Sequence, residues 1–243
     1  MVKIAKNSEF TKSKNVVLFK DLWIVIPAYN AQKTITKVIE NLNDYGYRNI
    51  IVVDDGSNDS TFESAQNTGA EVLSHMANRG QGAALQTGIS YALTKNPAAI
   101  ITFDSDGQHD PSDIEKLALK VLSEGFDISL GSRFLGVQSN APLHRKIALK
   151  CGAFMVYLFH GLWFSDCHNG LRCMSRNVSE QINITSDRME HASEIVEMIK
   201  QNYWKFTEVP VTIHYDDESL KHGQSTFSAF RILARMVWRK VIK

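Results

Sequence analysis

The stretch FDSDGQHDP, residues 103–111, carries three aspartates, a glutamine and a histidine directly after the apolar run Ala98–Ile101 and Thr102. Carboxylates crowded in this way repel one another unless a positive charge lies among them. Asp104 and Asp106, one residue apart and followed by Gln108, offer hard oxygen atoms of the kind that Mg²⁺ and Mn²⁺ prefer. Mg²⁺ commonly takes only one or two protein carboxylates, with substrate phosphates completing its shell. The spacing therefore points to a divalent cation that itself bridges a diphosphate. The competing explanation is a capped turn, with Asp106-Gly107 as the turn and Asp110 capping the helix that follows. Asp110 is assigned to that cap. A second acidic cluster, Asp54-Asp55-Gly56-Ser57, follows the apolar run Ile50–Val53.

Both clusters need a frame to bring them together. Short, largely β-branched runs at 23–27, 50–55, 71–74, 100–104 and 127–131 read as strands buried on both faces. Helical patterns at 33–43, 60–68, 82–94 and 112–124 separate them, the last with Asp113 and Glu115 in its first turn. This rhythm predicts an open α/β fold with a mostly parallel central sheet flanked by helices. In such sheets ligands bind beyond the carboxyl ends of the strands, where both acidic clusters fall. After Arg133 the rhythm breaks. A helix over about 142–160, an irregular SDCHNGLRCMSR (165–176), a helix near 189–201, a strand VPVTIHY (209–215) and a last helix over 225–243 are expected. No linker composition divides the chain, so residues 1–243 are expected to form one domain. Within it, about 20–135 would bind the nucleotide and about 136–224 the acceptor.

Taken in order, WIVIPAYNAQKTI, VVDDGSNDST, NRGQGAALQTGI, FDSDGQHDPSDI and GSRF resemble the inverting family 2 glycosyltransferases of GT-A fold. The likeness is strongest to the branch with dolichyl-phosphate mannose and glucose synthases, and it covers roughly residues 22 to 135. It implies that Pro27, Ala28 and Tyr29 cradle the nucleotide base, that Asp55 reads the base edge, and that Arg79, with Gly80 and Gly82, flanks the nucleotide. It assigns Asp104, Ser105 and Asp106 to the donor diphosphate, Asp104, Asp106 and Gln108 to Mn²⁺ or Mg²⁺, and Arg133 to the donor phosphates. Helix packing for the two glycines and an ion pair for Arg133 are the plain alternatives.

Downstream, Asp166, Asn169, Gly170, Leu171 and Arg172 echo the Asp-Pro-x-Ser-Gly-Phe-Arg segment of the polyprenyl-phosphate branch, but Cys167-His168 replaces Pro-Thr. Relatives that glycosylate a hydroxyl place an acidic base near the helix that here reads RMEHASEIVEMI, where Glu190, His191 and Glu194 compete. These three and Asp106 are the catalytic candidates. The spacing of His160, Cys167, His168 and Cys173 fits no zinc pattern.

In the tail, Arg231, Arg235, Arg239 and Lys243 form a basic stripe, with Phe227, Phe230, Leu233, Val237 and Val241 on another face. Such a helix suits an anionic membrane surface, although packing on its own domain or on a second subunit would also cover it. A net charge of +1 argues against a nucleic-acid partner. Without an apolar leader or a long enough apolar run, the expected place is the cytoplasm, peripheral on the inner face of the cell membrane.

The sequence favours metal-dependent, inverting transfer from a UDP-linked sugar to the hydroxyl of an undecaprenyl-diphosphate-linked saccharide in surface polysaccharide assembly. Transfer to a polyprenyl phosphate is the alternative, and an inactive nucleotide-sugar-binding subunit is a third reading. Gly80-x-Gly82 lacks the third glycine of a dinucleotide turn, since Leu85 stands there, and a nucleotidyltransferase would need a basic glycine-rich loop where PAYNAQKT lies.

Overall fold

In the computed structural model, the described residues are 19–135, 164–166 and 169–214. Seven strands form one sheet: β1 (Leu22–Ala28), β2 (Ile50–Asp54), β3 (Glu71–Ser74), β4 (Ala99–Thr102), β5 (Ile128–Ser132), β6 (Arg172–Ser175) and β7 (Phe206–Pro210). Their order is β3-β2-β1-β4-β6-β5-β7. All pairings are parallel except those of β6, which runs antiparallel to both β4 and β5. The helices are α1 (Ile35–Asp44), α2 (Thr61–Gln66), α3 (Gln81–Leu93), α4 (Ser112–Leu122), α5 (Arg176–Gln181) and α6 (His191–Gln201).

Alternate residues of the strands feed two cores. Ile24, Ile26, Val52 and Ile101 pack with α1 and α4, through Ile35, Ile39, Ile114 and Leu117. Val25, Val53, Ile100 and Met174 pack on the other face with Ala84, Ile89 and Ile195 of α3 and α6. Burial on both faces explains why the strands read as continuous apolar runs. Gly88 lets α3 settle onto the sheet, because a Cβ there would lie 2.3 Å from Val25 Cγ1.

The strands and helices expected up to residue 131 all form, within a few residues of their expected ends. The segment 165–176, expected to be irregular, differs: Arg172–Ser175 is β6, inserted between β4 and β5, and α5 follows at once. Four residues that begin with arginine and are buried on both faces show no period, so tertiary pairing alone defines this strand. The Ser175 side chain accepts from the Val178 N–H and starts α5. The last strand begins earlier than expected, at Phe206, and ends at Pro210, which has no N–H to continue a ladder. Beyond it, His109 and Ile213 form an isolated antiparallel bridge. The helix near 189–201 is α6, while the helices expected over 142–160 and 225–243, with Cys167-His168, lie outside the described residues.

Replacing Gly88 with valine should lower stability in a urea titration by about 2–3 kcal/mol through overpacking against Val25 and Val53. A midpoint equal to that of the parent would contradict this packing.

Candidate active site

β1, β2 and β4 end at one rim, with Ala28 level with Asp54 and Val25 level with Thr102. Asp104 leaves the end of β4 and is held from three sides. Gln81 Nε2 donates to its Oδ1 at 3.0 Å, and His109 Nε2 lies 2.9 Å from its Oδ2. Gly170 forms the third side, since a Cβ there would come within 2.1 Å of Asp104 Oδ2. The positive φ of Gly107, 77°, turns the chain so that His109 folds back on Asp104. Burial works against the charge on Asp104, but the His109 hydrogen bond and the nearby Arg172 outweigh it and hold its carboxyl below the usual range. Asp106 stands at the open rim, where its Oδ1 accepts from the Gln108 N–H at 2.9 Å. Desolvation by the surrounding protein, then the charge of Asp104, push its carboxyl upward. Asp106, unlike Asp104, is thus left short of positive charge.

The neighbouring loops are laced to this one. Thr34 Oγ1 donates to the Ser105 carbonyl at 2.7 Å, and Asn30, at a φ of 50°, accepts from the Asn58 N–H at 2.9 Å through Oδ1. Pro27 and Ala28 are buried in β1, whereas Tyr29 is exposed beside them. Asp55 is buried: its carboxylate accepts from the Arg79 and Gly80 N–H groups at 3.0 and 2.6 Å and meets His75 Nδ1 at 2.7 Å. Its observed role is to fold the 75–80 loop. Arg79 itself is exposed, 3.6 Å from Asp187. The carbonyl of Asp187 accepts from the N–H groups of Gly82 and Ala83, at 2.8 and 3.2 Å. A Cβ at Gly82 would lie 2.0 Å from the Ser186 carbonyl, so these glycines serve close packing between the α3 entrance and the 186–187 segment.

Arg133 closes its fork on Asp166, with Nε and Nη2 at 2.6 and 2.7 Å from the two carboxylate oxygens. Both side chains are largely buried, and Glu208 holds the Ser165 and Asp166 N–H groups behind them. A donor phosphate would have to compete with Asp166 for this guanidinium.

Of the other catalytic candidates, His191 is buried in the first turn of α6 and its Nδ1 donates to the Arg188 carbonyl at 2.7 Å, which leaves Nε2 as the acceptor nitrogen. Burial, then the charge of Arg172, push its pKa down to about 4. Glu194 binds the N–H groups of Thr185 and Ser186, at 3.0 and 2.8 Å, one on each oxygen. Burial works against its charge, but the Thr185 and Ser186 hydrogen bonds outweigh it and lower its carboxyl. Glu190 is half-buried at the entrance of α6, where its carbonyl accepts from the Ser193 and Glu194 N–H groups.

The family model described as "Glycosyl transferase family 2" matches residues 23–182. The chain belongs to that family. Among curated proteins, a UDP-N-acetylglucosamine–dolichyl-phosphate N-acetylglucosaminyltransferase of Methanococcus voltae is 32% identical, over 92% of this chain and 98% of its own length. An uncharacterized protein of Methanocaldococcus jannaschii is 40% identical over 91% and 93% of the two chains. Among solved structures, glucosyl-3-phosphoglycerate synthase from Mycobacterium tuberculosis, crystallised with Mn²⁺, UDP and phosphoglyceric acid, superposes with a TM-score of 0.67 at 17% identity. That superposition covers 91% of this chain and 80% of the other, and it shows the GT-A glycosyltransferase fold.

The donor atoms of this family 2 glycosyltransferase fit a divalent cation. Among the described residues no group of three or more His, Cys, Asp or Glu side chains converges. Two carboxylates suffice for Mg²⁺ or Mn²⁺ when substrate phosphates complete the shell, and Asp106 here is short of counter-charge. Sequence reasoning passed over His75, Gln81 and His109, whose roles arise from partners 20, 23 and 5 residues away. For His109 the available signal was its place in the acidic stretch itself. Its ring Nδ1 is buried with no hydrogen-bond partner among the described residues.

Gly170→Ala should displace the Asp104 carboxylate and abolish stabilisation by Mn²⁺ with UDP in thermal melting, while the variant alone still melts cooperatively. Retained stabilisation would show that the Asp104–Gly170 contact is not needed.

Proposed function

We propose that this glycosyltransferase moves a sugar from a UDP-linked donor to a polyprenyl phosphate of the dolichyl type, with inversion. The geometric observation that supports the acceptor class is how two of the three candidate bases of α6 are engaged. Glu194 is committed to two backbone N–H groups, and burial, then the charge of Arg172, lowers the basicity of His191, which counts against either in activating a sugar hydroxyl. A phosphate acceptor is already a nucleophilic anion and needs no such base. The Methanococcus relative, named for dolichyl-phosphate as acceptor, points the same way, as does a dolichol-phosphate mannosyltransferase of Pyrococcus furiosus at 29% identity. The sequence alone leaned toward a saccharide hydroxyl, through Cys167-His168 and the region of His191; these observations reverse that order.

In the proposed reaction the acceptor phosphate oxygen attacks the anomeric carbon as the bond to the donor diphosphate breaks, and the electron pair leaves on the β-phosphate oxygen. An α-linked donor would give a β product. Asp104 and Asp106, with Gln108, would hold Mn²⁺ or Mg²⁺, which when bound supplies positive charge to the leaving diphosphate. Tyr29, on the exposed rim, and the 75–80 loop shaped by Asp55 would bind the nucleotide, with Pro27 and Ala28 as the buried floor. Ser105 would keep the acidic loop in register through Thr34, while Arg79 would lie along the nucleotide. Arg133 would meet the donor phosphates only by exchanging Asp166 for them. Among the described residues no helix is long and apolar enough to cross a membrane. A peripheral position at the cytoplasmic face, reached through the basic stripe of 225–243, would give access to a lipid acceptor.

The test is transfer from radiolabelled UDP-sugars, with Mn²⁺, to polyprenyl phosphate or to a polyprenyl-diphosphate-linked saccharide. Label should appear in the mild-acid-labile polyprenyl monophosphate product, and Asp106→Asn should reduce it at least about 100-fold. Label only on the saccharide would return the acceptor to the hydroxyl class.

A further inference from the structure

We propose that His109 is a positioning residue for the cation site, fixing Asp104 in the orientation in which it binds metal. This rests on reading Asp104 and Asp106 as the cation ligands. A carboxylate only accepts hydrogen bonds, so the contact of 2.9 Å puts a proton on His109 Nε2 and directs it at Asp104 Oδ2. The imidazole is itself immobile. Its side chain is 3% exposed, and its ring lies against Phe103 with centroids 5.4 Å apart. Its backbone is bridged to Ile213, and the preceding Gln108 carbonyl accepts from the His214 N–H at 2.8 Å.

The other donor to Asp104, Gln81, is a half-buried amide from the first residue of α3, on the opposite oxygen. Gly170 closes off the space beneath the carboxylate. Of the two donors, His109 is the more deeply buried. It fixes Oδ2 and leaves Oδ1 to be shared between Gln81 and an incoming cation. Groups that hold a metal-binding carboxylate from behind typically change metal affinity 10–100-fold when removed.

The experiment is a Mn²⁺ titration of the full chain with UDP present, following unbound Mn²⁺ by electron paramagnetic resonance. His109→Phe and His109→Ala should each raise the Mn²⁺ dissociation constant about 10–100-fold. His109→Gln, which keeps an N–H donor, should lose less. On an Asp104→Asn background, His109→Phe should add no further loss, because the histidine acts through that carboxylate. Cooperative melting identifies the folded variants, and if only one of the Phe and Ala variants folds, it decides. Parent-like Mn²⁺ affinity in a folded Phe or Ala variant would overturn the assignment, and so would an undiminished further loss on the Asp104→Asn background. If the parent chain itself holds no Mn²⁺ with UDP, the cation site and the role of His109 both fail.

Discussion

Like charge on Asp104 and Asp106, one residue apart at the end of a buried strand, is the constraint around which this rim is built. Desolvation, then the charge of Asp104, raises the Asp106 carboxyl, while His109 and Arg172 keep the Asp104 carboxyl low against its burial. Left alone, such a pair would take up a proton or turn apart into water. The fold instead anchors Asp104 in place. β4 delivers it from a fully buried run, Gly107 turns the chain back, and Gln81 and His109 supply donors from two sides. Gly170 contributes by lacking a side chain. A carboxylate held this firmly, beside one that is short of positive charge, would suit a cation that arrives with its own anionic ligand.

The same rim joins the two parts of the chain. β6 enters the sheet beside β4, and that insertion sets Gly170 under the carboxylate, with Thr102 Oγ1 donating to the Gly170 carbonyl at 2.6 Å. On the other side, the Asp187 carbonyl occupies the N–H groups at the start of α3, and Glu194 holds the segment just before it. The α3 entrance is therefore engaged by protein, and under the proposed function anion binding would fall to the acidic loop and its cation. The Arg133–Asp166 pair is buried as well. Desolvation offsets much of what such a pair gains, so its value lies in fixing the 165–166 turn against β5 more than in stability.

Much of this was legible in the sequence because β1, β2 and β4 are largely apolar on both faces and their loops carry polar residues with narrow uses. Position at strand ends was enough to bring Asp54-Asp55 and Asp104-Asp106 to one rim. β6 was not legible: Arg172, Cys173, Met174 and Ser175 carry no alternation, and only pairing with β4 and β5 makes them a strand. Side-chain engagements were hidden for a related reason. Whether Glu194 is a base or a loop clamp depends on the N–H groups of residues 185 and 186, and whether Asp55 faces a ligand depends on how the 75–80 loop closes. Such choices are made by tertiary contacts that residue types alone do not encode.

Whether the acidic rim takes a nucleoside diphosphate together with a cation is read from thermal melting of the full chain with UDP, with and without Mn²⁺. Stabilisation by UDP that requires Mn²⁺, corresponding to about 2.7 kcal/mol at a hundredfold excess over the dissociation constant, is the result this account predicts. Equal stabilisation with and without Mn²⁺, or none with any nucleoside diphosphate, would contradict it.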